Sequence, residues 1–161
     1  MKDLLNKISS YNLFNYLLPG VIFVALASRV TQYSLIQQDI VIGLFLYYFI
    51  GLVISRFGSL IIEPLLKGLS FLRCAEYQEF VVASQKDEKL DVLSEVNNTY
   101  RTLLSLFGLL LLLKLYEKIE VRVPVLKNYN AIALIVLLLV VFLFSYRKQT
   151  GYIANRVKAN K

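Results

Sequence analysis

Four neutral, mostly apolar runs separated by charged segments constrain this chain more than anything else in it. They cover residues 8–28, 40–55, 102–113 and 128–146, and the second resumes past Arg56 as far as Ile62. A helix crossing hydrocarbon needs about 20 mostly apolar residues, and shorter neutral runs are completed by flanking residues whose charged tips snorkel to the interface. The expectation is an all-α polytopic membrane protein with four transmembrane helices, at about 8–28, 38–62, 99–116 and 128–146. One membrane domain, 1–161, accounts for the whole length. Hydrophobic residues make up 57% of the chain, more than an ordinary soluble domain of this size carries.

The basic residues supply an orientation. Of 18 Lys and Arg, two precede the first run, one lies between the first and second, and six fall from Arg56 to Arg101. Four lie between the third and fourth runs and five follow Tyr146. With four spans, one side holds 13 and the other 5, so the positive-inside bias places both termini and the middle segment in the cytoplasm. Tyr11, Tyr16, Tyr33, Tyr116, Tyr129 and Tyr146 stand near the expected ends, where amphipathic rings prefer the interface. Tyr47 and Tyr48 stand outside that belt. Because the net charge of +7 sits beside the spans, no direct binding of nucleic acid is expected.

Lys2, Lys7, the first apolar run and Ala25-Leu26-Ala27 imitate a secretory signal. The segment is read instead as a retained helix, in which Pro19-Gly20 produces a kink that neighbouring helices accommodate. Residues 1–11 have the alternation of an amphipathic stretch lying along the inner interface. Asn12 and Asn15, near the border of span one, are expected to face a neighbouring helix or the headgroups, and their place at the border favours the headgroups. The lone Cys74 reads as a small packing residue.

Span two carries Gly51, Ser55 and Ser59 at four-residue spacing, a stripe that lets another helix approach closely. Its partner, within the chain or on another subunit, is open at this stage. Beyond it, residues 63–100 are expected to form a cytoplasmic helical hairpin. Pro64 favours a new helical start, Leu65, Leu66, Leu69 and Leu72 continue a helix, Tyr77, Phe80 and Val81 mark a second, and 84–89 is the turn. From Leu90 the pattern runs without a break into span three. Arg73, Glu76, Tyr77, Glu79, Lys86 and Lys89 are the candidate partner-binding residues of this hairpin. Glu63 and Arg101, at matching depths on spans two and three, form a candidate ion pair or snorkel separately to headgroups. The basic residues after Tyr146 are expected to hold the tail to anionic lipid.

The chain has no histidine, a single cysteine and no acidic cluster deep in a span. No catalytic, cofactor-binding or metal-binding residues are assigned, no cofactor is expected, and an enzyme is not the reading. The polar residues of spans one and two keep open an oligomeric ion channel or membrane-perturbing effector, and a lipid-bound scaffold is a third possibility.

The run Tyr11-Asn-Leu-Phe-Asn-Tyr-Leu-Leu-Pro-Gly20, the second span and the Asn97-Asn98-Thr99-Tyr100-Arg101 entry to the third resemble the small four-span membrane subunits of Kiwa anti-phage defence systems. The resemblance covers the span layout over nearly the whole chain. It implies a homo-oligomeric inner-membrane sensor, a tetramer, that recruits a cytoplasmic DNA-binding effector and responds to phage attachment. It assigns no individual residue a role.

Overall fold

The computed structural model describes residues 13–159, whose regular structure is helical with no strand among them. A π turn, Leu13–Leu17, leads into α1, Leu18–Val30. α2, Ile40–Phe57, continues through a second π turn, Gly58–Ile62, into the short α3, Glu63–Gly68. Then come α4, Tyr77–Lys86, the long α5, Lys89–Arg122, a 3-10 segment, Pro124–Tyr129, and α6, Asn130–Ala159. Two helical stretches, Ile40–Gly68 and Pro124–Lys158, are long and apolar enough to cross a membrane.

Local chemistry explains several boundaries. Asp39 is extended and accepts from Ile42 N at 2.9 Å, which caps the start of α2. α3 ends in a Schellman arrangement, Phe71 N donating to Leu66 O and Ser70 N to Lys67 O, each at 3.0 Å. Ser70 occupies the left-handed position of that motif, with φ 58°. The leucine stripe expected to prolong this helix to Leu72 therefore breaks at Gly68, and residues 71–76 are non-helical.

Both π turns end two residues before a proline, Pro19 in one case and Pro64 in the other. Proline in a regular helix lacks the donor for the i−4 carbonyl and collides with it, and widening the preceding turn relieves both problems. Pro64 accordingly stands in the first turn of α3, as expected, but α3 continues from α2 without a break. The other corrections concern connections. α5 runs on to Arg122, past the expected end of span three at 116, so most of residues 114–129 is helical. The turn at 84–89 narrows to Asp87 and Glu88.

The core lies between α1, α2 and α5, where Ala27, Ile54, Leu106 and Leu110 are buried against Ile22, Phe23, Ile50 and Leu113. α1 and α2 meet at reciprocal glycines. A Cβ on Gly20 would collide with the Tyr47 carbonyl, and one on Gly51 with the Tyr16 carbonyl. Such backbone approach is the usual packing device of helices in lipid. α6 lies outside this trio. Phe142 stacks on Phe49 of α2 at 5.8 Å and Tyr152 on Tyr77 of α4 at 5.6 Å. Tyr47 and Tyr48, expected to fall outside an interfacial belt, contact other parts of the chain. Tyr47 Oη accepts from Gln37 N at 3.0 Å, and Tyr48 stands edge-on to Tyr16.

Candidate functional site

Polar side chains gather at two nodes, one at each end of the apolar helices. The first surrounds Glu63, which follows the π turn Gly58–Ile62. Glu63 Oε2 accepts from Arg101 Nη1 of α5 at 2.8 Å, and Oε1 accepts from Lys67 Nζ at 2.8 Å. Lys148 of α6 places its Nζ 3.9 Å from Glu63 Oε2. The two residues proposed as a pair from sequence are thus in contact, and α6 adds a third helix to them.

The position of Lys148 follows from backbone chemistry. In the π turn Glu63 N donates to Gly58 O, five residues back. By the same register Ser59 O would accept from residue 64, which is proline and has no N–H. Lys148 Nζ fills that vacancy, donating to Ser59 O at 2.6 Å and to Ser59 Oγ at 2.8 Å. The ammonium also sits 5.7 Å from the Tyr152 ring centroid, a cation–π distance.

The small-residue stripe turns out to serve three partners, all within the chain. Gly51 meets the backbone of Tyr16, Ser55 Oγ lies 3.4 Å from Thr102 Oγ1 on α5, and Ser59 takes Lys148 from α6. Gly58 is equally tight, since a Cβ there would strike Ser105 Oγ. Asn15 is buried with its Oδ1 3.3 Å from Thr99 Oγ1, so it faces a neighbouring helix and not headgroups. Residues 1–11 and Asn12 lie outside the described residues.

The second node was not anticipated. Glu120, near the end of α5, is 1% exposed. Its Oε2 accepts from Gln32 Nε2 at 2.6 Å and Tyr33 Oη at 2.8 Å, and its Oε1 accepts from Asn130 Nδ2 at 2.6 Å. Tyr116 Oη in turn donates to Asn130 Oδ1. Beside it Glu117 Oε1 accepts from Gln32 N at 2.8 Å, and its other oxygen pairs with Lys114. The Asn130 amide, then the Tyr33 hydroxyl, hold the Glu120 carboxyl below its ordinary value. Burial, then the bond to Glu120, pushes Tyr33 up. The node fastens the loop after α1 to the end of α5 and the start of α6. The available signal was two carboxylates and a tyrosine at 116, 117 and 120, on a helix that the expected span stopped short of.

Of the candidate partner-binding residues, Arg73 and Glu76 are exposed on the non-helical stretch, and Glu79 and Lys86 are exposed on α4. Lys89 is exposed at the start of α5. Glu79 and Lys86 line one open depression with Gln78, Val82 and Ala83. Tyr77 is committed to its stack on Tyr152. Cys74 is exposed, not packed. Among the described residues no three His, Cys, Asp or Glu side chains are grouped to hold a metal ion. No protein-family model, curated protein sequence or solved structure matches this chain.

Proposed function

We propose that this chain is a four-span protein of the bacterial inner membrane with both termini and residues 63–100 in the cytoplasm. In this reading it is a non-enzymatic sensor or anchor subunit of an anti-phage complex, self-associating and recruiting a cytoplasmic DNA-binding effector through the α4–α5 hairpin. One observation carries the membrane assignment. Arg101 and Glu120, one in each node, are nineteen positions apart on the unbroken α5, which at 1.5 Å per residue is about 29 Å, the thickness of a hydrocarbon core. Asn130 and Lys148 repeat nearly the same separation along α6.

Burial points the same way. In the most apolar window of Pro124–Lys158 only 6% is buried, whereas the core helix of a soluble protein hides its apolar face. A sensor needs one element that touches both sides, and α5 joins the outer node, the inner node and the hairpin. The polar groups a lumen would need, Asn15, Ser55 and Ser59, are engaged inside the chain, which favours the sensor over the channel.

Thiol labelling tests the topology. With Cys74 replaced by Ser, an impermeant maleimide should label Gln37→Cys in intact cells, and Lys86→Cys only after permeabilisation. Labelling of residue 86 from outside would defeat the orientation. For the defence role, expression with the neighbouring genes should lower phage plating, and deletion of residues 70–95 should abolish protection while the chain stays in the membrane fraction. Protection that survives the deletion would rule out the hairpin as the recruiting surface.

A further inference from the structure

The inner node holds more positive charge than it can neutralise. Glu63 contributes one carboxylate, and Lys67 and Arg101 already share it at 2.8 Å each. Lys148 stands 3.9 Å away from the same group. Arg56 lies two residues before the π turn, is partly exposed, and makes no ion pair among the described residues. Glu63 attracts the Lys148 ammonium, while Arg101, Lys67 and Arg56 act against it. Donors also exceed acceptors, since Arg101 Nε is buried with no acceptor among the described residues. The side chains are within reach of an outside molecule, being 43% exposed at Lys67, 27% at Lys148 and 22% at Arg101. Tyr152, under Lys148, and Tyr77, stacked upon it, border the cluster with the amphipathic rings typical of a headgroup layer.

We propose that Arg56, Lys67, Arg101 and Lys148 form a binding site for the phosphodiester of an anionic phospholipid of the inner leaflet. The site rests on the membrane reading above and adds to it a specific ligand. The phosphodiester supplies the acceptors and the negative charge that Glu63 alone does not, and its acyl chains lie along the exposed apolar face of α6. Basic pockets between transmembrane helices on the cytoplasmic side are a recurrent solution to headgroup recognition. Binding would tie α2, α5 and α6 together at the level where α5 leaves the bilayer for the hairpin.

The full chain, purified in detergent, is examined by native mass spectrometry with added phosphatidylglycerol or phosphatidylcholine. Phosphatidylglycerol should be retained preferentially, and Arg56→Gln, which leaves the Glu63 pairs intact, should weaken retention about fivefold, the worth of one basic residue near the surface. Arg147→Gln, on the exposed start of the tail, should leave it unchanged. Equal retention of both lipids, or equal loss with either substitution, overturns the site. Inorganic phosphate that displaces the lipid at millimolar concentration would also overturn it, assigning the cluster to a soluble anion. Extraction of the chain from cells by alkaline carbonate would instead count against the membrane reading, so the two failures are distinct.

Discussion

Arg101 of α5 donates to Glu63 of α3 at 2.8 Å, and neither side chain is more than a quarter exposed. Glu63→Gln should destabilise the protein by about 2 kcal/mol, the scale for a partly buried charge-assisted bond, because it leaves Arg101 without its counter-charge. A double-mutant cycle with Arg101→Gln, read by thermal unfolding in nanodiscs, should give a coupling on the order of 1 kcal/mol. Additive losses would show that the two ends snorkel independently.

Lys148 and Pro64 should be coupled although they do not form a bond. Lys148→Met leaves Ser59 O without its donor and should cost about 1–3 kcal/mol, the desolvation penalty of a stranded carbonyl. Pro64→Ala restores an N–H in the register that points at Ser59 O. The cost of Lys148→Met should therefore fall in the Pro64→Ala background. An unchanged cost would mean that the ammonium binds Ser59 for another reason.

Glycine substitutions should separate contact from propensity. Gly51→Ala and Gly20→Ala drive a methyl group into backbone carbonyls of the facing helix, and each should cost about 3 kcal/mol or more. Gly151→Ala meets nothing within 4 Å and should stabilise α6 by up to about 1 kcal/mol. Similar effects at all three positions would contradict the close contact between α1 and α2.

At Ser70 the left-handed backbone is paid for by a residue with a Cβ. Ser70→Gly keeps the Schellman bonds and removes the steric strain, so it should stabilise the protein by about 1 kcal/mol. Ser70→Val should do the reverse. Both are read as midpoint shifts in chemical unfolding.

Acid should loosen the node around Glu120. The Glu120 carboxyl is held below its ordinary value of 4.5, so its contribution is complete above that value and disappears as pH falls through the lower, folded one. Melting temperature should be flat from neutral pH down to about 5 and then drop. Glu120→Gln should lower the neutral plateau and shrink the acid-dependent part. A variant with the full acid drop would move the titration to another group.

The sites divide according to how much of each was legible in the residues. Glu63 and Arg101 were legible as candidates because each marks the charged edge of a neutral run, but whether they would pair or snorkel apart was not, since two edges at one depth need not be neighbours. Glu120 was not, because a buried carboxylate has no signature apart from its partners. Gln32 and Tyr33 come from a segment 88 and 87 residues away, and Asn130, ten residues on, comes from the far side of the 3-10 segment.

Hydropathy and charge add along a chain without reference to neighbours, and so the residues alone determined the apolar runs, the bias of basic charge and the helical character. Which helix each small or polar side chain would meet depends on packing in three dimensions. Only the tertiary arrangement decided that Gly51, Ser55 and Ser59 would face three different elements, and that a carbonyl orphaned by Pro64 would receive an ammonium from residue 148. Buried polar atoms must find partners, but nothing in a linear sequence specifies which ones.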